Sequence, residues 1–197
     1  MEPISTIVSN CVPLEAENVD TDQIIPARFL KATTREGFGD NLFRDWRYDS
    51  SGNPKDSFVL NQPDIKGKIL IAGKNFGCGS SREHAAWALY DYGFRVVISS
   101  FFADIFKNNA LNNGLLPIQL DEEFIQKLFA LRKQDPELEL EIDLPNQAVT
   151  VVSTQEKVSF DINDHKKSCL LQGFDDIDYL LNQKDKILEF EQEKTAN

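Results

Sequence analysis

The residues best suited to chemistry lie in one glycine-rich stretch, Gly73–His84, with the sequence GKNFGCGSSREH. Its glycines allow sharp turns and the close approach of a ligand. Ser80, Ser81 and Arg82 follow the last glycine, and we expect them in the first turn of a helix, where free N–H groups and the helix dipole attract anions. The planar guanidinium group of Arg82 matches a carboxylate. The stretch therefore predicts a binding site for a small acid.

The segments on either side predict which elements position this loop. Residues 68–72 (KILIA) form a short apolar run that is typical of a buried strand. Residues 85–92 carry apolar side chains at helical spacing, and Gly93 is a natural C-terminal cap. The loop should therefore connect the C-terminal end of a strand to the start of a helix.

Several residues of the loop also have purely structural interpretations. Ser80 and Glu83 could form a capping box that satisfies the first backbone donors of the helix. Cys78 could be a nucleophile or a small packing residue, and His84 could be a general acid or a packed side chain. The glycine spacing does not match a nucleotide-binding loop, so phosphate is the weaker anion hypothesis.

A second polar motif, NVDTDQIIP, occupies residues 18–26. Its two aspartates, Asp20 and Asp22, flank Thr21 and could bind a divalent cation, but the glycine and glutamate of a calcium loop are missing. One of the aspartates could instead cap the turn that follows. Both interpretations remain open at this point.

The two motifs, in this order, resemble those of the swivelling-domain subunits of the aconitase superfamily, in particular the small subunits of 3-isopropylmalate dehydratase. The resemblance extends from about residue 5 into the acidic C-terminal segment. It implies an α/β fold, a single swivelling β/β/α barrel-like domain with a mixed sheet that covers residues 1–197.

The same resemblance implies a role for each matching residue. Ser80 would be the catalytic base, acting as an alkoxide, and Ser81 and Arg82 would hold a substrate carboxylate. Arg35 lies near a further carboxylate-binding arginine of the superfamily, with Arg28 and Lys31 as alternatives. Leu30 lies in the segment that selects the substrate side chain. Six residues would support the two motifs: Asp20, Thr21, Asp22, Gly77, Cys78 and Gly79.

A complete set of catalytic groups is missing from this chain, which indicates half of an active site. The resemblance implies the partner that completes it. A large subunit would carry a [4Fe–4S] cluster, with no cofactor and no metal in this chain, and the substrate would be a small dicarboxylate. The complex would isomerise 2-isopropylmalate and 3-isopropylmalate in leucine biosynthesis. Two alternatives remain. The first is the small subunit of a related hydro-lyase, either homoaconitase or a hydratase of methyl-substituted maleate. The second is a non-catalytic assembly module that binds carboxylates.

Composition limits the function classes further. The net charge of −11 argues against nucleic acid and anionic membranes as partners. Three widely spaced cysteines and two histidines do not provide a four-ligand iron–sulfur or histidine-rich site, and they fit a reducing compartment. There is no run of 18 apolar residues and no signal-peptide pattern. We therefore expect a cytoplasmic protein.

The remaining chain divides into three parts. Residues 28–61 lack apolar periodicity and concentrate basic side chains, which predicts a long, partly mobile excursion from the core. A partner or substrate could order this excursion, or it could be a solvated loop. Residues 94–131 alternate between strand and helix patterns and predict parallel pairing. Residues 138–160 predict antiparallel strands, and residues 175–194 predict an acidic terminal helix.

Overall fold

The structure is a computed structural model that describes residues 1–30 and 36–184. Its centre is a curled seven-stranded sheet with the strand order β4-β3-β2-β1-β5-β6-β7. The strands are β1 (Thr6–Leu14), β2 (Ile69–Ala72), β3 (Val96–Ser99), β4 (Leu116–Gln119), β5 (Glu139–Asp143), β6 (Ala148–Val151) and β7 (Glu156–Ser159). The helices are α1 (Thr21–Ile24), α2 (Arg44–Arg47), α3 (Glu83–Tyr92), α4 (Asp104–Asn112), α5 (Glu122–Gln134), α6 (Asp164–Gln172) and α7 (Asp176–Asn182).

Strand β1 joins a parallel and an antiparallel half of the sheet. Its residues 11–14 pair in parallel with β2, and the parallel ladder continues through β3 to β4. Its residues 6–10 pair antiparallel with β5, which continues through β6 to β7. The expectation of an α/β fold with a mixed sheet is confirmed.

The apolar side chains of β2 pack on both faces of the sheet. Ile69 and Ile71 belong to a core with α5 and the antiparallel strands, whereas Leu70 and Ala72 belong to a core with α3 and α4. Successive side chains of a strand point to opposite faces, so a strand covered on both sides is apolar throughout. This burial fixes β2, and with it the start of the glycine loop.

Helix α3 begins later than the sequence predicts. The prediction that Ser80, Ser81 and Arg82 form its first turn is wrong, because the helix starts at Glu83 and Arg82 is the extended N-cap residue. The capping box of Ser80 and Glu83 is not formed among the described residues, because the Glu83 carboxylate accepts a hydrogen bond from Asn113 at 2.9 Å. The helix ends at Gly93 with a left-handed φ of 118°, as predicted.

Residues 36–61, in the predicted basic excursion, pack against the body of the protein through short helical turns. Phe38, Leu42 and Phe43 are buried in the core that contains α3. The backbone N–H of Gly39 donates to the Asp91 carboxylate at 2.8 Å, which holds this segment to the end of α3. Buried apolar side chains, and not a regular sequence pattern, therefore hold this segment against the body of the protein.

The C-terminal part contains one helix that the sequence analysis missed, α6, which is capped by the side chain of Asn163. Helix α7 lies within the predicted terminal helix, and residues 185–194 of that prediction lie outside the described residues. Three of its apolar side chains are exposed: Ile177, Leu180 and Leu181. Within the described ranges, none of the helices combines the length and hydrophobicity that a membrane crossing requires.

Candidate active site

The two sequence motifs meet at the C-terminal end of β2. The carbonyl of Val19 accepts hydrogen bonds from the backbone N–H groups of Gly77 at 2.8 Å and Cys78 at 3.2 Å. The N–H of Thr21 donates to the Cys78 carbonyl at 2.9 Å, so that residues 19–21 run alongside the glycine loop as a short parallel bridge. Backbone hydrogen bonds therefore fix one motif against the other.

Two glycines are required by this close approach. Gly77 has φ +76°, and a Cβ there would lie 2.2 Å from a ring carbon of Phe106. Gly79 has φ +91°, and its Cβ would lie 3.3 Å from the Cβ of Asp20. Left-handed backbone and lack of space both disfavour any other residue at these positions.

The Ser80 side chain is exposed at the end of the loop and contacts Thr21. The Thr21 hydroxyl donates to the Ser80 carbonyl at 3.0 Å, and its oxygen lies 3.3 Å from Ser80 Oγ. Because the single Thr21 proton is committed to the carbonyl, the Ser80 hydroxyl is the donor in the second contact. Thr21 is only 1% exposed, so it provides a fixed polar partner beneath Ser80.

The side chain of Arg82 is held by Asp22 of the second motif. Its guanidinium group forms an ion pair with the Asp22 carboxylate, whose side chain is 54% exposed while that of Arg82 is 19% exposed. A carboxylate therefore already occupies one of the guanidinium nitrogens, Nη1, that the sequence analysis assigned to substrate. Ser81 is exposed between Ser80 and Arg82.

Asp20 has the structural role that the sequence analysis offered as one interpretation. Its carboxylate accepts from the backbone N–H of Gln23 at 2.8 Å, and the Gln23 side chain accepts from the Asp20 N–H at 2.9 Å. This capping box starts α1. With Asp20 used in the cap and Asp22 in an ion pair, the geometry favours capping over a divalent cation.

Cys78 and His84 also have structural partners. The Cys78 thiol donates to the Asn18 carbonyl at 3.3 Å, and its pKa is raised by burial and, to a lesser extent, by the nearby Asp20 carboxylate. A raised pKa lowers the thiolate fraction and opposes nucleophilic activity. The His84 ring packs 5.4 Å from Phe38 and 4.5 Å from Trp87, measured between centroids.

Of the three predicted basic residues, Arg28 is the one within the described ranges, and it has partners of its own. Arg28 forms an ion pair with Asp45, with Nη1 and Oδ2 3.0 Å apart, and its guanidinium lies 4.7 Å from the Phe29 ring centroid. Leu30 is partly buried against the core that contains α3. Lys31 and Arg35 lie outside the described residues.

The cysteines do not fit an iron–sulfur cluster held by this chain alone. Cys11 is buried in the sheet, where burial raises its pKa to about 12, and its thiol donates to the Leu138 carbonyl. Cys78 lies in the glycine loop and Cys169 lies on α6. A cluster needs several thiolates at one point, and these thiols belong to separate regions of the fold.

The sequence analysis gave Thr21 only a supporting role in its motif, whereas the structure makes it the side-chain partner of Ser80. No local pattern identifies this contact, because it depends on how two distant segments pack. The one signal in the sequence is the position of Thr21 between two aspartates.

Comparisons with known proteins match the chain almost throughout. The family model of the aconitase C-terminal domain matches residues 1–123, which contain both motifs. A 3-isopropylmalate dehydratase small subunit from Christiangramia forsetii is 59% identical over 194 residues, covering 98% of this chain and 95% of the relative. One from Cytophaga hutchinsonii is 60% identical over 191 residues, covering 97% and 95%. The crystal structure of 3-isopropylmalate dehydratase from Methanocaldococcus jannaschii is similar, with a TM-score of 0.66, 26% identity and coverage of 95% and 99%.

Proposed function

Because the chain belongs to the family of 3-isopropylmalate dehydratase small subunits and matches the aconitase C-terminal domain, we propose that its glycine loop forms one half of a hydro-lyase active site. The enzyme isomerises 2-isopropylmalate and 3-isopropylmalate by dehydration and rehydration, in leucine biosynthesis. The observation that carries the site assignment is the meeting of Thr21 with Ser80 and of Asp22 with Arg82.

Ser80 is the base that takes a proton from the substrate carbon next to a carboxylate. A serine hydroxyl ionises only where donors and positive charge favour the anion. Two features supply them: the Thr21 hydroxyl, which can turn from the Ser80 carbonyl to the alkoxide, and the charge of Arg82, two residues further along the chain. The exposure of Ser80 leaves it open to substrate.

Ser81 and Arg82 hold a substrate carboxylate. The substrate then replaces Asp22 on at least one of the guanidinium donors, and Asp22 keeps Arg82 directed towards the loop. Arg35 binds the second carboxylate, with Arg28 and Lys31 as the alternatives, and Leu30 contacts the substrate side chain. The other motif residues fix the geometry through the bonds described above.

The relatives are named small subunits, which implies a large-subunit partner. That partner carries the [4Fe–4S] cluster, which supplies Lewis-acid activation of the substrate hydroxyl when bound. The residues of this chain bind the carboxylate and accept the proton. Three free, separated thiols and a net charge of −11 support a cytoplasmic protein that binds neither nucleic acid nor anionic membrane.

Reconstitution tests this function. The purified chain alone should bind neither iron nor sulfide in stoichiometric amounts and should not turn over 3-isopropylmalate, whereas addition of the cognate large subunit should produce activity. A substrate panel that includes homoaconitate and methyl-substituted maleate should show the highest kcat/KM with isopropylmalate. Turnover by the chain alone, or a complex that binds the substrate but leaves it unchanged, would overturn the proposal.

A further inference from the structure

Away from the glycine loop, three metal-ligating side chains of different chemical types converge between α6 and α7. His165 and Cys169 lie one turn apart on α6, and Asp176 is the first residue of α7. His165 Nε2 lies 3.8 Å from Cys169 Sγ and 3.3 Å from Asp176 Oδ1, and all three ligand atoms lie within 4.8 Å of one another. In the described part of the chain this is the one such group of three.

We propose that His165, Cys169 and Asp176 bind a zinc-class divalent cation, with solvent as the fourth ligand. Tetrahedral zinc with its usual bond lengths separates nitrogen, oxygen and sulfur ligands by roughly 3.3–3.6 Å. The 3.3 Å between nitrogen and oxygen fits this geometry directly, and the 3.8 Å between nitrogen and sulfur must shorten slightly. A set of one imidazole, one thiolate and one carboxylate selects zinc over calcium or magnesium, which take oxygen ligands. The proposal is independent of the proposed active site.

The surroundings of the group suit a bound cation. The Tyr179 ring meets the His165 ring edge-on, with centroids 4.3 Å apart, and this contact fixes the imidazole plane. Cys169 is 3% exposed, whereas the side chains of His165 and Asp176 are 38% and 51% exposed. The site is thus closed on the thiol side and open to solvent on the other, which leaves a path for the metal and a place for water.

A lysine ammonium group lies within this site. Lys166 Nζ lies 2.6 Å from Asp176 Oδ1 and 2.7 Å from Asn112 Oδ1, at the end of α4. A metal ion must therefore displace Lys166 from the carboxylate or share that carboxylate with it. Repulsion between the two cations weakens the metal site, and removal of the lysine charge should strengthen it.

Binding needs no redox chemistry. The neutral imidazole contributes a nitrogen lone pair, Asp176 contributes an oxygen of its carboxylate, and the Cys169 thiol releases its proton to solvent as the metal–sulfur bond forms. The metal would then join α6 to the first turn of α7 across the turn at Gly173. The consequence is a C-terminal helix pair whose relative position depends on metal.

Titration of the metal-free full-length chain tests the site. Calorimetry with zinc should show saturable binding of one equivalent, and cobalt should give a sulfur-to-cobalt charge-transfer band. Cys169→Ser and His165→Gln should each weaken zinc binding at least roughly tenfold, and Cys169→Ser should remove the band. Cys78→Ser and His84→Gln are matched controls, because they remove the same ligand types elsewhere, and they should bind zinc normally.

A charge variant separates a metal site from a simple hydrogen-bonded cluster. Lys166→Met should tighten zinc binding by roughly threefold or more, because it removes the competing cation. If Cys169→Ser fails to fold, His165→Gln and Lys166→Met, which change partly exposed side chains, decide the question. The proposal is wrong if zinc does not saturate the wild-type chain, or if binding is unaffected by His165→Gln and Lys166→Met.

Discussion

Thr21 and Ser80 are 59 residues apart in the chain, yet one threonine hydroxyl contacts both the carbonyl and the hydroxyl oxygen of the serine. The contact lies where backbone hydrogen bonds join two segments with no common secondary structure. It places a buried hydroxyl group directly beneath the proposed base. The chemistry assigned to the loop therefore depends on both motifs.

Ser80→Ala should abolish most of the activity and leave the fold intact. Because Ser80 is not the helix cap, its hydroxyl contributes one partly buried contact, and the free energy of unfolding should fall by about 1 kcal/mol or less. In the reconstituted complex, kcat should fall at least roughly 100-fold. Ser57→Ala, at an exposed serine, is the matched control. Near-normal turnover with a lower melting temperature would show that Ser80 is structural.

Thr21→Val should act on the rate more than on substrate binding. Valine keeps the shape of the side chain and removes the hydroxyl that faces Ser80, so kcat should fall roughly tenfold or more at a similar KM. Thr21→Ser retains the hydroxyl and should recover most of the rate. Equal losses in the two variants would mean that packing of the threonine methyl group matters instead.

Arg82→Lys should act mainly on substrate binding. A lysine supplies a point charge in place of a planar fork, so KM should rise about tenfold, which corresponds to about 1.4 kcal/mol. Asp22→Asn leaves the guanidinium in place and removes its ion-pair partner, so its KM should rise less. A large fall in kcat with unchanged KM for Arg82→Lys would assign the arginine to the chemical step.

Alanine substitutions should distinguish the three basic candidates of residues 28–35. The Arg28 guanidinium is already held by Asp45, so Arg28→Ala should change KM by less than about threefold. Arg35→Ala should raise KM about tenfold, as expected when a charge-assisted carboxylate contact is lost. Steady-state kinetics of these variants and of Lys31→Ala provide the comparison. A larger KM effect of Arg28→Ala or Lys31→Ala would transfer the role to that residue.

The Cys11 thiol should make stability depend on pH under alkaline conditions. Burial raises its pKa in the folded protein from 9.0 to about 12, with Arg132 opposing the shift. The unfolded chain therefore loses this proton first, so the stability contribution is complete below pH 9 and is lost as the pH rises towards 12. Between these values the free energy of unfolding should fall up to about 1.4 kcal/mol per pH unit more steeply than in Cys11→Ala. Parallel slopes in denaturant titrations would contradict this.

The elements on either side of the glycine loop were predicted correctly because each has a signal in its own short stretch of sequence. The apolar run before Gly73 became β2, and Gly93 ended α3. The start of α3 was predicted wrongly because contacts with Thr21, which is distant in the chain, hold the Ser80 carbonyl and hydroxyl. A serine followed three residues later by a glutamate favours a capping box only when no distant partner competes for the serine.

No local pattern in the sequence predicts that the two motifs meet in the fold. Nothing local indicates that the Val19 carbonyl will accept from two amides of the glycine loop. Likewise, residues 36–61 show no periodicity, because short turns anchored by Phe38 and Phe43 leave no regular pattern in the sequence. The side chains that complete the site became evident only when packing was known.

The staggered pairing of β1 has a further consequence for how the protein opens. Residues 6–10 pair with the antiparallel strands and residues 11–14 with the parallel ladder, so the two ladders use different residues of β1. Side-chain packing crosses this division, because Ile69 and Ile71 of β2 lie in one core with the antiparallel strands. Opening of the antiparallel half would therefore expose β2, and we expect the amide protons of both halves to exchange in one cooperative step. The glycine loop that follows β2 thus depends on the C-terminal strands for its rigidity.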